Sequence, residues 1–385
     1  MRIAYVSADP GVPIFGSKGN SVHVQEMVRS FRLMGAEVHI ISPAVGGEPS
    51  DDLRDLHLHR LPKVPKGDLA ERERGLYALN DDLAGILESA PRFDLLYERY
   101  SLWSHAALEL ARRNGIPAVL EVNAPLIDEQ AEHRGLSDHA KALSVANRAF
   151  AAAKVLVAVS DGVASWLERF EPARGKIHVI PNGVSAERFP AHLSPAAPAG
   201  EGIVTVGFLG TLKPWHGLGT LADAFEIVYR AEPRSRLLVV GDGPERSTLA
   251  ERLSPLGDAV VFTGAVRTDA VAGYLASMEI GVAPYPESAS FYFSPLKVYE
   301  YMAAGLPVVA SRIGQLEQLI DDGVNGFLCT PGDTAAFAET ILRLARTPQL
   351  RERVGSSARR HVLGSHTWDS VARRVLELAA GQVTA

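Results

Sequence analysis

The residues best suited to chemistry lie in one short segment, residues 294–311. Ser294 is a good helix N-cap and Pro295 suits the first helical position, so the segment predicts a helix that begins here. Gly305 supplies a C-terminal stop for that helix. The free N–H groups at the start of such a helix form an anion site, and a diphosphate suits it.

Two charged side chains fall inside this predicted helix. Lys297 adds a cation close to its N-terminus. Glu300 lies four residues after Leu296 and therefore on the same helix face, where its carboxylate could accept hydrogen bonds from a ribose. The same residues also fit an ordinary capped helix whose glutamate is merely solvated.

The elements that must position these residues are short apolar runs separated by helical periods. The runs are continuous in Val, Ile and Leu rather than alternating, which is typical of a parallel sheet buried on both faces. Residues 24–31 and 218–225 carry apolar side chains at i, i+3, i+4 and i+7, which predicts helices. Strands that alternate with helices indicate an α/β architecture. The predicted strands are residues 3–7, 38–42, 95–98, 118–122, 155–159, 177–180, 204–209, 237–240, 260–263, 280–283 and 308–310.

The 385 residues divide best at a stretch rich in Pro, Ala and Gly, residues 189–202, which reads as a linker. We therefore expect a first domain at 1–188 and a second at 203–365. An amphipathic helix within 366–385 is expected to pack back on the first domain. The predicted fold class is α/β, with two doubly wound parallel-sheet domains facing each other across a cleft. Open α/β sheets bind ligands at the carboxyl ends of their strands, which favours an enzyme with a nucleotide-bearing substrate.

Composition excludes several other classes of protein. The 39 basic and 45 acidic side chains give a formal net charge of −6, which argues against nucleic-acid binding. The single Cys329 allows no internal disulfide and no Cys-x-x-Cys zinc site, so we expect a reducing, cytoplasmic setting. The longest stretch without Asp, Glu, Lys or Arg is residues 189–200, far short of a membrane span, and no signal peptide is visible. The high Ala, Arg and Gly content fits a GC-rich bacterial genome.

Five segments, which follow one another along the chain in the family's order, resemble motifs of the family 4 glycosyltransferases, which are retaining enzymes with two facing Rossmann-like domains (the GT-B fold). The segment 294–311 resembles the family's donor-binding helix, and Gly207–Gly217 resembles its glycine-rich phosphate-clamp loop. The other three are residues 177–184, 239–244 and 261–264. Each match alone is weak, but five in sequence are strong, and the resemblance covers essentially the whole chain.

The resemblance implies a nucleotide-sugar donor, UDP- or GDP-linked, that is bound mainly by the second domain. Glu300 would hold the ribose hydroxyls, and the N–H groups near Pro295 and Leu296 would hold the diphosphate. The backbone around Val266 and Arg267 would meet the base. The implied donor-binding residues are Gly19, Gly210, Thr211, Gly241, Val266, Arg267, Tyr292, Ser294, Pro295, Leu296 and Glu300.

The sequence departs from the family pattern at two residues that would contact the donor sugar. A second glutamate is usual eight positions before the first, but here that residue is Tyr292, which puts the identity of the sugar in doubt. The family's first-domain histidine aligns with Asn123, which follows a predicted strand. An amide there could bind a sugar hydroxyl but cannot act as a general base; a plain turn asparagine before Pro125 is the alternative.

The phosphate-clamp loop departs as well. Its usual arginine and lysine align with Thr211 and His216. Lys213 could replace one charge, and His216 could still donate to phosphate, although it could equally be a loop histidine packed beside Trp215. We therefore expect Lys213, His216 and Lys297, together with Asn123, to be the catalytic residues.

The acceptor would bind to the first domain, and we expect a soluble metabolite or glycan. The candidate acceptor-binding residues are Arg99, Glu121, Glu129 and His133, although most charges in such loops are only solvated. Gly19, in the loop before the first helix, would let the backbone approach the phosphates. No Asp-x-Asp occurs in the chain, so we expect no metal ion and no other cofactor in the reaction.

The implied activity is retaining transfer of a hexose, and three other functions stay open here. A nucleotide-sugar epimerase of similar fold would need acid and base residues, which the histidines and glutamates could furnish. An NAD-dependent oxidoreductase is suggested by Gly241-x-Gly243, but Arg246 stands where that fingerprint requires glycine. A non-catalytic sugar-nucleotide sensor would explain the departures at Tyr292 and Asn123.

Overall fold

The computed structural model describes residues 1–64, 67–288 and 291–381, which form two units. The first unit contains residues 1–182 and 292–294 and the C-terminal helix. The second contains residues 183–291 and 295–367. Among the described residues, no helix is both long enough and apolar enough to cross a membrane.

The first unit is built on a seven-stranded parallel sheet in the order β3-β2-β1-β4-β5-β6-β7. The order reverses between β1 and β4, so loops diverge at the carboxyl ends of these two strands. The strands are β1 Arg2–Ser7, β2 Glu37–Ser42, β3 His57–Arg60, β4 Leu95–Arg99, β5 Ala118–Val122, β6 Val155–Ala158 and β7 Ile177–Val179. The helices before the second unit are α1 Gly19–Leu33, α2 Leu69–Ser89, α3 Ala106–Arg113, α4 Leu126–His133, α5 His139–Ala152 and α6 Asp161–Leu167.

The second unit repeats the arrangement with six parallel strands in the order β10-β9-β8-β11-β12-β13. The strands are β8 Val204–Leu209, β9 Ser235–Val240, β10 Val260–Gly264, β11 Ile280–Ala283, β12 Val308–Ser311 and β13 Phe327–Cys329. The helices are α7 Leu218–Ala231, α8 Arg246–Leu253, α9 Val271–Leu275, α10 Leu296–Ala303, α11 Leu316–Leu319, α12 Thr334–Arg346 and α13 Pro348–Ser365.

These two doubly wound parallel sheets confirm the predicted α/β fold class. All eleven predicted strands are present. Helices cover both faces of each sheet, so the inner strands are buried, whereas the edge strands β7 and β10 are only partly buried. The predicted helices at 24–31 and 218–225 are the buried faces of α1 and α7. The edge strands β3 and β13 were not predicted.

Residues 189–202, which the sequence assigns to a linker, pack within the second unit. Phe189 is fully buried in that unit's core, and its carbonyl accepts a hydrogen bond from Arg359. The N–H group of Ala196 donates to the carbonyl of Gly273 at 2.9 Å. A buried aromatic and backbone hydrogen bonds therefore hold this proline-rich stretch in place.

The C-terminal helix, α14 Trp368–Ala380, packs against α1 in the first unit. The hydroxyl of Ser30 donates to the carboxylate of Asp369 at 2.7 Å, and the ring of Trp368 meets His23 edge to face. The last residues of the segment predicted as this helix, 382–385, lie outside the described residues.

Candidate functional site

A glycine cradle lies where β8 and β9 end in the second unit. Gly210 and Gly241 both have a positive φ, of 135° and 136°. A Cβ atom on Gly241 would overlap the carbonyl oxygen of Gly210, so only glycine allows the two loops to approach this closely. The backbone of Gly210 also faces Lys297, because a Cβ atom on Gly210 would lie 3.2 Å from the Nζ atom of that lysine.

Lys297 is a buried cation without a hydrogen-bond partner among the described residues. Its side chain is held in the first turn of α10, and the residue is only 8% exposed. The Nζ atom lies 4.2 Å from the ring centroid of Phe208 and 5.3 Å from that of Tyr285. Burial lowers the pKa of this ammonium to about 7. A buried charge in this position calls for an anion.

The start of α10 differs from the sequence prediction. The helix begins at Leu296, with Pro295 in the N-cap position and no side chain capping it. Ser294 is not the cap: its hydroxyl accepts a hydrogen bond from the backbone N–H of Asn182 at 3.0 Å, within the first unit. The first N–H groups of α10 are therefore not used by a capping side chain, which suits an anion site better than the predicted cap did.

His216 offers an acceptor rather than a donor in this structure. Its Nδ1 atom lies 2.5 Å from the carbonyl oxygen of Thr211, and its ring packs beside Phe208 and Tyr285. Burial, together with the nearby charge of Lys297, lowers the pKa of His216 to about 3. The ring is thus neutral, Nδ1–H donates to Thr211, and Nε2 carries a lone pair. Donation to phosphate from Nε2 would require that a bound anion first raise the pKa of His216, so that the ring takes up a proton from solvent.

Glu300 is held by a residue that the sequence analysis did not identify. The guanidinium of Arg188 lies 3.0 Å from the Glu300 carboxylate and also donates to the carbonyl of Thr268 at 3.1 Å. Burial raises the pKa of Glu300, and Arg188 opposes that rise. Arg188 therefore fixes the predicted ribose ligand beside the loop that follows β10. No spacing in the sequence connects these two residues.

The remaining predicted residues of the second unit lie on loops. Val266 is partly buried against the core, whereas the Arg267 side chain is exposed and pairs with Asp269 at 2.9 Å. The Nζ atom of Lys213 lies 5.4 Å from the ring centroid of Trp215. The carbonyl of Arg267 accepts a hydrogen bond from the N–H of Ala270 at 3.0 Å, and the contact of residues 266–267 with a base stays a prediction.

In the first unit, a cavity of about 320 Å³ opens at the carboxyl ends of β1 and β4. Its wall comes from residues 8–11 and 101–104, which follow these strands, and from α2 and α4. Leucines and Trp103 make the wall largely apolar, while Glu129 and the exposed arginines Arg72 and Arg134 supply charge. This is the position, at a topological switch point, where open α/β sheets bind ligands.

Asn80 on α2 fixes one wall of this cavity. Its side-chain oxygen accepts hydrogen bonds from the N–H groups of His105 and Ala106, both at 2.9 Å. Its side-chain nitrogen donates to the carbonyl of Trp103 at 2.8 Å. The loop after β4 is therefore held rigidly at the cavity.

Tyr292 and Glu129, predicted on the donor and the acceptor side, meet within the first unit. The tyrosine hydroxyl donates to the Glu129 carboxylate at 3.1 Å. The tyrosine carbonyl accepts a hydrogen bond of 2.7 Å from the hydroxyl of Ser160. Burial, together with the charge of Glu129, raises the pKa of Tyr292, so its hydroxyl stays a donor.

Glu121 and Arg99 lie in a buried network rather than on the cavity wall. Glu121 is 2% exposed, and its carboxylate lies 2.8 Å from the His23 imidazole and 3.8 Å from the Arg99 guanidinium. Burial favours the neutral acid, but His23 and Arg99 outweigh it and lower the pKa of Glu121. The Glu121 carboxylate therefore has buried partners on α1 and β4 instead of an open face.

The other predicted residues of the first unit are Asn123, which is partly buried, and Gly19 and His133, which are exposed. Asn123 follows β5, and its buried side-chain oxygen has no hydrogen-bond partner among the described residues. Gly19 is exposed at the first position of α1, and His133 is exposed at the end of α4, outside the cavity wall. Of the four predicted acceptor residues, only Glu129 lines the cavity.

Known proteins resemble this chain in both units. Residues 18–188 match the family described as Glycosyltransferase Family 4, and residues 203–347 match Glycosyl transferases group 1. The D-inositol 3-phosphate glycosyltransferase of Streptomyces scabiei is 28% identical over 94% of this chain and 85% of its own length.

Solved structures share the fold. Sucrose-phosphate synthase from Thermosynechococcus elongatus superposes with a TM-score of 0.72 at 22% identity, covering 99% of this chain and 98% of its own. HepE from Anabaena, solved in complex with UDP and glucose, gives a TM-score of 0.73 at 20% identity, covering 99% of this chain and all of its own.

Proposed function

Because the chain belongs to the family 4 glycosyltransferases, we propose that it transfers a hexose from a nucleoside-diphosphate sugar to an acceptor hydroxyl with retention of anomeric configuration. The observation that carries this proposal is the buried, unpartnered ammonium of Lys297 beside Gly210. A diphosphate supplies the anion that this site lacks.

Catalysis in this proposal acts mainly by stabilising the diphosphate as it leaves. When the bond between the anomeric carbon and the phosphate oxygen breaks, negative charge grows on that oxygen. Lys297 and the uncapped N–H groups of α10 are fixed donors for this charge, and they sit in a buried environment where such interactions are strong. His216, neutral in the described state, gains a proton only if the bound phosphates raise its pKa.

The nucleoside is assigned to the neighbouring part of the second unit. Glu300, oriented by Arg188, accepts hydrogen bonds from the ribose hydroxyls. The backbone at residues 266–267 meets the base. UDP- or GDP-linked sugars are the proposed donors, and the similarity to HepE, which was solved with UDP and glucose, supports the former.

The acceptor is assigned to the cavity of the first unit. A volume of about 320 Å³ suits a small molecule or one sugar residue of a glycan. The apolar wall would pack against the body of the acceptor, and Glu129 would accept a hydrogen bond from one of its hydroxyls. Asn123, an amide, would bind a sugar hydroxyl but would not remove a proton.

The transfer needs no separate base and no metal ion in this proposal. The acceptor oxygen forms a bond to the anomeric carbon on the face that the diphosphate leaves, and the acceptor proton passes to the departing phosphate oxygen. Lys297 and the start of α10 supply the positive charge that a divalent cation would otherwise provide, and the sequence has no Asp-x-Asp to hold one.

The test incubates the protein in EDTA with a panel of UDP- and GDP-sugars and of hydroxyl-bearing acceptors, and measures the nucleoside diphosphate that is released. The proposal predicts release with one nucleotide series and its loss in Lys297→Met. Because Tyr292 replaces the usual glutamate, a non-catalytic sugar-nucleotide sensor is the second candidate function. That alternative predicts donor binding without release for every acceptor and sugar in the panel.

A further inference from the structure

A group of imidazoles and a carboxylate lies at the amino-terminal ends of strands in the first sheet, whereas the cavity lies at the carboxyl ends. Glu37 and His39 open β2, and His57 opens the edge strand β3. His39 and His57 are register partners, and Glu37 precedes His39 by two residues, so the three side chains share one face of the sheet. We propose that Glu37, His39 and His57 bind a Zn²⁺ ion.

The distances fit a small tetrahedral cation. The Nε2 atom of His39 lies 2.9 Å from the Oε1 atom of Glu37, and the Nε2 atom of His57 lies 3.7 Å from that same oxygen. All three ligand atoms lie within 4.8 Å of one another. Two ligands of tetrahedral zinc are about 3.3 Å apart. Glu37 and His39 must therefore separate slightly and His57 must move slightly closer to Glu37, and both Glu37 and His57 are exposed side chains that can shift.

Neighbouring side chains orient the ligands as metal sites require. The other ring nitrogen of His39, Nδ1, lies 3.0 Å from Nε2 of His59. When His39 binds a cation through Nε2, its hydrogen sits on Nδ1 and is donated to His59. The second carboxylate oxygen of Glu37 pairs with Arg2 at 3.3 Å, which leaves Oε1 for the metal.

The chemical types of the three metal ligands and their exposure favour zinc over other cations. Two imidazoles and one carboxylate suit zinc better than the hard cations Mg²⁺ and Ca²⁺, which prefer oxygen ligands. His39 is buried, whereas the side chains of Glu37 and His57 are 46% and 58% exposed, so an ion can enter and keep a water as fourth ligand. A bound ion would join the edge strand β3 to β2.

The site is independent of the proposed transfer. The ligands lie at the amino-terminal ends of β2 and β3, whereas the cavity lies at the carboxyl ends of β1 and β4. Zinc here would stabilise the fold of the first unit and take no part in the reaction. Loss of the ion should therefore lower the melting temperature without abolishing donor turnover.

The test is calorimetric titration of the EDTA-treated, dialysed full-length protein with Zn²⁺, and with Co²⁺ as an optical probe. We expect one equivalent to bind, with the intense visible absorption of tetrahedral Co²⁺. The affinity should fall at least about tenfold in His57→Gln and in Glu37→Gln. The matched control is His192→Gln, an exposed histidine in the second unit, which should bind as the unaltered protein does.

The titrations and melting temperatures distinguish a specific zinc site from non-specific binding. Unchanged affinity in both ligand variants, or binding without saturation at a single equivalent, would overturn the proposal. His39→Gln removes a buried group and could unfold the edge of the sheet, so the decisive variants are the two with exposed side chains. A melting-temperature rise with Zn²⁺ in the unaltered protein, absent from His57→Gln, would support the site independently of any activity.

Discussion

The hydroxyl of Tyr292 donates a hydrogen bond of 3.1 Å to the carboxylate of Glu129. The family resemblance predicts that Tyr292 takes the position of a usual glutamate, and in the structure its hydrogen-bond partner is a carboxylate from α4. A glutamate at position 292 would face Glu129 as a like charge. The tyrosine and Glu129 are therefore a matched pair, and a single change at either position breaks it.

The first prediction concerns this pair. Tyr292→Phe removes one hydrogen bond and should lower the free energy of unfolding by about 1 kcal/mol. Tyr292→Glu places a second carboxylate beside Glu129 and should cost more, because like charges repel in a partly buried site. Urea unfolding at pH 7 compares the two variants; equal stability would mean that the contact with Glu129 is unimportant. If Tyr292→Glu also leaves sugar preference unchanged, Tyr292 does not contact the donor sugar.

The second prediction concerns Arg188 and Glu300. Both side chains are mostly buried, so Arg188→Met leaves an unpaired buried carboxylate and should destabilise by about 3 kcal/mol. Donor affinity should fall as well, since the ribose ligand loses its orientation. Arg267→Met, which breaks the exposed pair with Asp269, is the control and should leave stability unchanged. A similar effect of both variants would argue against a special role for Arg188.

The third prediction uses Glu98, which lies fully buried in β4 with no hydrogen-bond partner for its carboxyl oxygens among the described residues. Burial raises its pKa to about 7 from an ordinary value of 4.5. The unfolded chain therefore releases its proton first, and the protein loses stability as the pH rises from about 4.5 to 7.

Glu98→Gln should remove that pH dependence. The variant should be more stable than the unaltered protein at pH 8, by up to about 3 kcal/mol, and should show no gain near pH 4.5. Urea unfolding at the two pH values measures the difference. The same stability change at both pH values would show that the carboxyl does not titrate as its burial implies.

The parts of the fold set by local pattern were predictable, and those set by distant contacts were not. The central strands were found because their apolar runs are continuous. Strand β3 was not predicted because its sequence, His57 to Arg60, alternates polar residues at a sheet edge. Strand β13 was not predicted because its short apolar run, Phe327–Cys329, lies directly between Gly326 and Thr330 and contains no Val or Ile. Short edge strands depend on a neighbour for their hydrogen bonds rather than on their own sequence.

The candidate site shows the same division. Lys297 and Glu300 were identified from the helix that carries them. The capping role of Ser294 was wrong, because the backbone of Asn182, far away in sequence, uses its hydroxyl. Arg188 was missed for the same reason, and the burial of Glu121 follows from His23 on α1. Contacts between segments that are distant in sequence produce no recognisable residue spacing, so the sequence alone does not predict them.

The fourth prediction is the pH dependence of donor binding. Because burial lowers the pKa of Lys297 to about 7, its charge is lost as the pH rises above that value. Affinity for a nucleoside diphosphate should therefore decrease between pH 6 and pH 9 in the unaltered protein. In Lys297→Met the affinity should be weaker and should not follow this profile. The same pH profile in both proteins would assign the effect to another group.

The most direct measurement is calorimetric titration of the protein with UDP and GDP at pH 6.5 in EDTA, for the unaltered chain and Lys297→Met. A cation that pairs with the diphosphate predicts saturable binding of one nucleotide without added metal, weakened about tenfold or more in the variant, since a charge-assisted hydrogen bond is worth roughly 1.5–3 kcal/mol. Equal affinity in the two proteins, or binding that appears only when a divalent cation is added, would contradict this account of the donor site.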